Sequence, residues 1–169
     1  LAGLYGTEPL LIDMIERPAV VEHAMERMKR IWIDCFTEFR SYIDAAGNDG
    51  YVGWAGVWAP GSTFPMQEDF SYMISPDMFR RFCIPHISDI ADSLECAMYH
   101  LDGINAIPHL DALLDLDSIR VIQWVPGAGH ESLPQWYELV KRILDSGKSM
   151  QLFAETKEIA PLLDAVGTR

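Results

Sequence analysis

The chain has 169 residues, 49% of them hydrophobic, with 25 acidic and 13 basic side chains and a formal net charge of −12. That length and apolar content can bury a real core, so neither intrinsic disorder nor a disulfide-stapled miniprotein is required. The scattered Lys and Arg form no basic stripe for nucleic acid, no apolar run approaches ~18 residues, and no basic stretch followed by an apolar one opens the chain, so neither a membrane span nor a signal peptide is expected.

Cys35, Cys83 and Cys96 are odd in number and form no CxxC pair, which fits reduced thiols in a cytoplasmic protein. The chain starts Leu1-Ala2-Gly3 and stops at Gly167-Thr168-Arg169, which reads as a single-domain piece, residues 1–169, of a longer protein.

From Pro18 to Ala46, apolar residues from Val21 through Trp32 and Phe36 to Ile43 recur every 3.6 residues and predict one long amphipathic helix, started by Pro18 and ended by Gly47. Tyr51-Val52-Gly53-Trp54 reads as a short buried strand, followed by a loop through Trp58, Pro60, Gly61 and Pro65. Ser75-Pro76-Asp77 predicts a capped helix start, and Pro85 should bend the helix that follows. Thereafter strands Cys96–His100, Ile119–Val125 and Ser149–Phe153 alternate with helices near His109–Leu116, Pro134–Leu144 and Lys157–Val166. Four strands alternating with helices imply right-handed crossovers and a parallel sheet. No glycine-rich phosphate loop follows a strand, so an α/β fold of about half a (β/α)₈ TIM barrel is expected rather than a dinucleotide-binding sheet.

Barrel active sites stand at the carboxyl ends of strands. There the sequence offers Trp54, then Trp58, Gln67, Glu68 and Asp69 in the next loop, then His100 and Asp102, Gln123 and Trp124, and finally Glu155. His100 and Asp102 are two apart on an extended chain and point to one side, and an imidazole with a carboxylate is a competent pair of ligands for zinc or another divalent metal. Glu155 is a candidate third ligand; alternatively, Asp102 only orients His100 or caps the next helix. His109 and Asp111 repeat the His-Leu-Asp pattern in a predicted helix, where residues two apart diverge by about 200°, so they read as a solvent-facing polar edge. His23 and His86 read as surface or packing residues, whereas His130 lies on the site face. Trp54, Trp58 and Trp124 can wall a flat ligand, with Gln123 and His130 as further substrate contacts, and Glu68, Asp69 and Asp102 are acid–base candidates. Trp32 and Trp136 read as core.

The acidic loop, the phrase Ile74-Ser75-Pro76-Asp77-Met78-Phe79 with Phe82 and Pro85, the Tyr99-His100-Leu101-Asp102-Gly103 strand end and Ile122-Gln123-Trp124 resemble the uroporphyrinogen decarboxylase superfamily. That superfamily joins haem-pathway decarboxylases with corrinoid-dependent methyltransferases, and the similarity runs over nearly the whole chain, matching the later-middle part of a barrel. The resemblance aligns His100-Leu101-Asp102-Gly103 with the methyltransferases' His-x-Cys-Gly, whose histidine and cysteine bind zinc; Asp102 replaces the cysteine. Asp69 falls near a serine that contacts substrate in the decarboxylases, and Gln123-Trp124 replaces their Asp-Trp. The third metal ligand and the decarboxylases' arginine-rich motif and catalytic aspartate would lie outside this chain.

The retained His100 makes metal-assisted methyl transfer between a corrinoid, free or on a corrinoid protein, and a thiol-type acceptor the leading expectation. The resemblance also implies a runner-up, metal-free decarboxylation of uroporphyrinogen, although a charge of −12 suits so anionic a substrate poorly. A non-catalytic small-molecule-binding barrel is the third reading. Half a barrel would leave two parallel edges exposed, so the native protein is expected to be longer or two halves to meet. Light scattering on the 169-residue chain should show self-association; a well-behaved monomer would oppose that expectation.

Overall fold

The computed structural model of the chain describes residues 1–167. Two short helices, α1 (Ala2–Tyr5) and α2 (Thr7–Glu16), precede the long α3 (Pro18–Ala45), which has Pro18 in its first turn. The first two are too short to display a clear apolar period. They are tied by Asp13, a buried carboxylate that accepts from Tyr5 Oη at 2.5 Å and from Arg17 Nε at 2.8 Å. On α3 the predicted stripe is only half used. Val21 is buried and Met25, Trp32 and Phe36 pack against the core, but Ile31 and Phe39 remain 54% and 67% exposed.

Tyr51–Trp54 is not a strand of the parallel sheet. Tyr51–Val52 (β1) instead pairs antiparallel with Trp58–Ala59 (β2). The first parallel strand is Pro65–Met66 (β3), inside the predicted loop. It is two residues long and carries a proline, which cannot donate to a ladder and is tolerated at an edge, so the sequence shows no strand period there.

The protein is α/β, with a four-stranded parallel sheet in the order β3-β4-β5-β6 alternating with helices. β4 is Ala97–Asp102, β5 Ile119–Val125 and β6 Ser149–Leu152. Between β3 and β4 lie a 3₁₀ turn (Asp69–Met73), α4 (Pro76–Phe82) and α5 (Ile84–Asp92). Ser75 Oγ caps α4 by accepting from Met78 N at 3.2 Å. Pro85 does more than bend this region: α4 stops at Phe82, and Pro85 sits in the first turn of α5, where its missing N–H costs nothing. A 3₁₀ turn (Ile104–His109) and α6 (Leu110–Leu114) lead to β5, a 3₁₀ turn (Leu133–Trp136) and α7 (Tyr137–Asp145) lead to β6, and α8 (Thr156–Val166) follows.

Alternation along the strands separates two faces. Tyr99, Leu101, Ile122 and Trp124 enter the core with Phe79, Leu113 and Ile143 of the flanking helices. Met98, His100, Gln123 and Gln151 take the opposite face, over which the β1–β2 hairpin folds: Trp54 Nε1 donates to Pro65 O at 2.8 Å.

His109 corrects the expectation of a solvent-facing edge. It is buried, stacks on Phe79 with ring centroids 4.5 Å apart, and its Nε2 lies 2.9 Å from Ser71 O. A 3₁₀ turn, not an α-helix, carries it, and so turns it inward. Asp111 does face solvent and pairs with Arg142. Burial depresses the His109 pKa, and the Ser71 carbonyl opposes that only in part.

Phe79 is fully buried under this turn. Phe79→Ala is expected to lower the unfolding free energy by about 3–5 kcal/mol and Ser75→Ala by about 1 kcal/mol. Urea denaturation followed by circular dichroism measures both; equal small losses would show that Phe79 is not central to the core.

Candidate functional site

The carboxyl end of β4 presents His100 and Asp102 on one side of the strand, and His100 Nε2 stands 4.0 Å from Asp102 Oδ2. The His100 side chain is 12% exposed and that of Asp102 is 52% exposed, so the imidazole is held while the carboxylate meets solvent. Parallel register places Gln123 of β5 beside His100 and Gln151 of β6 beside Gln123. His100 Nδ1 is hydrogen-bonded to Gln123 Oε1. The buried Gln123 in turn donates Nε2 to Gln151 Oε1 at 2.8 Å. Trp54 meets the His100 ring edge-on, with centroids 5.1 Å apart. Gly103, with φ of +76°, turns the backbone away directly after the pair, a conformation that residues with a Cβ rarely adopt.

Glu68, Asp69 and Tyr72 from the segment after β3 join His100 and Asp102 around a cleft of about 100 Å³. Glu68 also borders an apolar pocket formed by Leu10, Met14, Val21 and Phe82. This desolvation lifts the Glu68 carboxyl to about 7, and neighbouring Asp69 adds to the effect. A carboxyl in that range exchanges protons near neutrality, as an acid–base catalyst requires. Burial and the Glu68 charge together raise the Cys83 thiol, which makes it inert as a nucleophile.

The other sequence-derived candidates stand elsewhere. Trp124 is buried on the core face against Trp136, with ring centroids 5.0 Å apart, so it supports the strand from behind and forms no wall of the cleft. Trp58 is an exposed hairpin residue. His130 lies in the loop after β5, where its carbonyl accepts from Trp136 Nε1 at 2.8 Å. Glu155 caps α8 through a reciprocal capping box with Glu158 and is ion-paired with Lys157 at 2.6 Å. Among the described residues, no group of three or more His, Cys, Asp or Glu side chains is arranged to hold a metal ion. His100 and Asp102 therefore provide a two-donor set, without Glu155. Gln151 and Tyr72 complete the surroundings. Neither stands out in the sequence, because a strand glutamine or an exposed tyrosine carries no motif and only register or packing brings it to the site.

No protein-family model, curated protein or solved structure matches the chain.

The raised Glu68 pKa has a consequence for stability. Between pH about 4.5 and 7 the folded protein keeps the Glu68 proton that the unfolded chain releases, so the native state binds more protons and stability falls as pH rises through this window. Glu68→Gln should remove up to about 3 kcal/mol of that decline. Urea midpoints at pH 4.5 and 7.5 provide the test; an unchanged slope in the variant would show that Glu68 titrates normally.

Proposed function

We propose that the chain forms part of a uroporphyrinogen decarboxylase-like (β/α)₈ barrel, and that its cleft serves metal-assisted methyl transfer from a corrinoid to a thiol-type acceptor. The sequential parallel order β3-β4-β5-β6 is compatible with such a barrel. The observation that carries the chemistry is His100: its Nδ1 is occupied by Gln123 while Nε2 faces Asp102 across 4.0 Å. A ligating histidine needs this arrangement, with one ring nitrogen held by a hydrogen bond and the other free. His100 and Asp102 would supply two donors to a zinc-like ion, with a third protein ligand expected outside this chain and a position left for substrate. Such an ion, when bound, acidifies a thiol so that it is presented as thiolate. Trp54 packs the imidazole, and the exposed Asp102 keeps the site open to solvent and acceptor.

Glu68 favours a second reading, decarboxylation of uroporphyrinogen. Loss of carbon dioxide from an acetate arm requires a proton at the remaining carbon, and an acid with a pKa of about 7 in a half-apolar cleft can donate one.

Elemental mass spectrometry on protein purified without chelators separates the two. Under the methyl-transfer reading the wild type retains near-stoichiometric divalent metal, and His100→Ala and Asp102→Ala lose it; undiminished metal in His100→Ala would sink that reading. Under the decarboxylase reading, chelated protein still forms coproporphyrinogen, and Glu68→Gln slows it by about 10²-fold or more.

A further inference from the structure

His100, Gln123 and Gln151 are nearest neighbours across three parallel strands, and the row ends on the hairpin, where Gln151 Nε2 donates to Ala55 O at 3.2 Å. A side-chain amide can turn end for end, so a row of glutamines has no inherent direction. A backbone carbonyl only accepts, and this one gives the row a direction. Because Ala55 O requires the Nε2 end of Gln151, Gln151 Oε1 faces inward and accepts from Gln123 Nε2. Gln123 is thereby oriented with Oε1 toward His100, and in the neutral ring Nδ1 must carry the proton. The lone pair is left on Nε2, the nitrogen directed at Asp102.

We propose that Gln151 is a positioning residue that sets the tautomer of His100 from two strands away, with the Ala55 carbonyl as the fixed end of the relay. The hairpin then acts on the imidazole twice, through this relay and through the edge of Trp54. The value of the relay to catalysis rests on the reading of His100 Nε2 as a metal ligand. Its direction does not, because it follows from donors and acceptors alone.

Nitrogen NMR of ¹⁵N-histidine-labelled chain in metal-free buffer distinguishes a protonated ring nitrogen from an unprotonated one, with the His100 signals assigned by their loss in His100→Ala. The wild type is expected to show protonated Nδ1 and unprotonated Nε2. Gln151→Glu leaves an acceptor facing Gln123 and should preserve this pattern. Gln151→Lys offers only donors, so Gln123 should turn and the proton should move to Nε2. Gln151 is half-buried, and unchanged circular dichroism would show that both variants fold. A wild-type ring protonated on Nε2, a reversed tautomer in Gln151→Glu, or an unmoved one in Gln151→Lys would each overturn the relay. Failure of metal uptake would overturn the metal reading and leave this tautomer result standing.

Discussion

The parallel register between β4 and β5 is the constraint on which the rest of the structure depends. Pairing His100 with Gln123 aligns Tyr99 with Ile122 and Leu101 with Trp124, so one alignment builds the polar row and the apolar face together. A slip of one residue would put Gln123 among the helices and Trp124 on the site face. The burial of Trp124 and Ile122 therefore holds the site in place from behind, as does α7 through Ile143.

The helical side is tied down by packing more than by charge. Phe79, Leu110, Leu113 and Ile143 are fully buried, whereas Lys29–Asp89 and Arg81–Glu22, which link α3 to α5 and α4, have at least one exposed partner and contribute little each. Although His86 Nδ1, His109 Nδ1 and Trp124 Nε1 have no hydrogen-bond partner, some buried polar groups on this side are hydrogen-bonded. Lys148 is an example: desolvation lowers its pKa, yet its ammonium donates to Leu116 O at 2.7 Å and Ile119 O at 2.9 Å, fastening the start of β6 to the turn before β5.

The cleft joins two different environments for its carboxyl groups. Glu68 lies at a boundary with apolar side chains and is held near neutrality, while Asp102 stays in contact with water beside the imidazole. The difference between one carboxyl raised by desolvation and one left open to water arises from depth, since the side chains are chemically alike.

Short-range periodicity made much of this legible. The two-residue spacing of His100 and Asp102 placed both on one side of a strand, Ser75-Pro76 marked a helix start, and the alternation of elements indicated a parallel α/β sheet. Local patterns failed where the outcome depended on distant partners. Tyr51–Val52 looks like any apolar strand, but its partner is the adjacent hairpin arm; Pro65–Met66 has no strand character and is a strand because β4 lies beside it. His109 turns inward because Ser71 O and the Phe79 ring receive it, and Glu155 serves α8 because its nearest N–H groups are those of that helix. The sequence by itself determined which residues can form helices, which strand ends carry polar pairs and that the fold is α/β, since these follow from neighbours along the chain. Only the tertiary structure decided that Gln123 and Gln151 stand beside His100 and that Glu68 is desolvated, because register and burial are set by residues far apart in sequence.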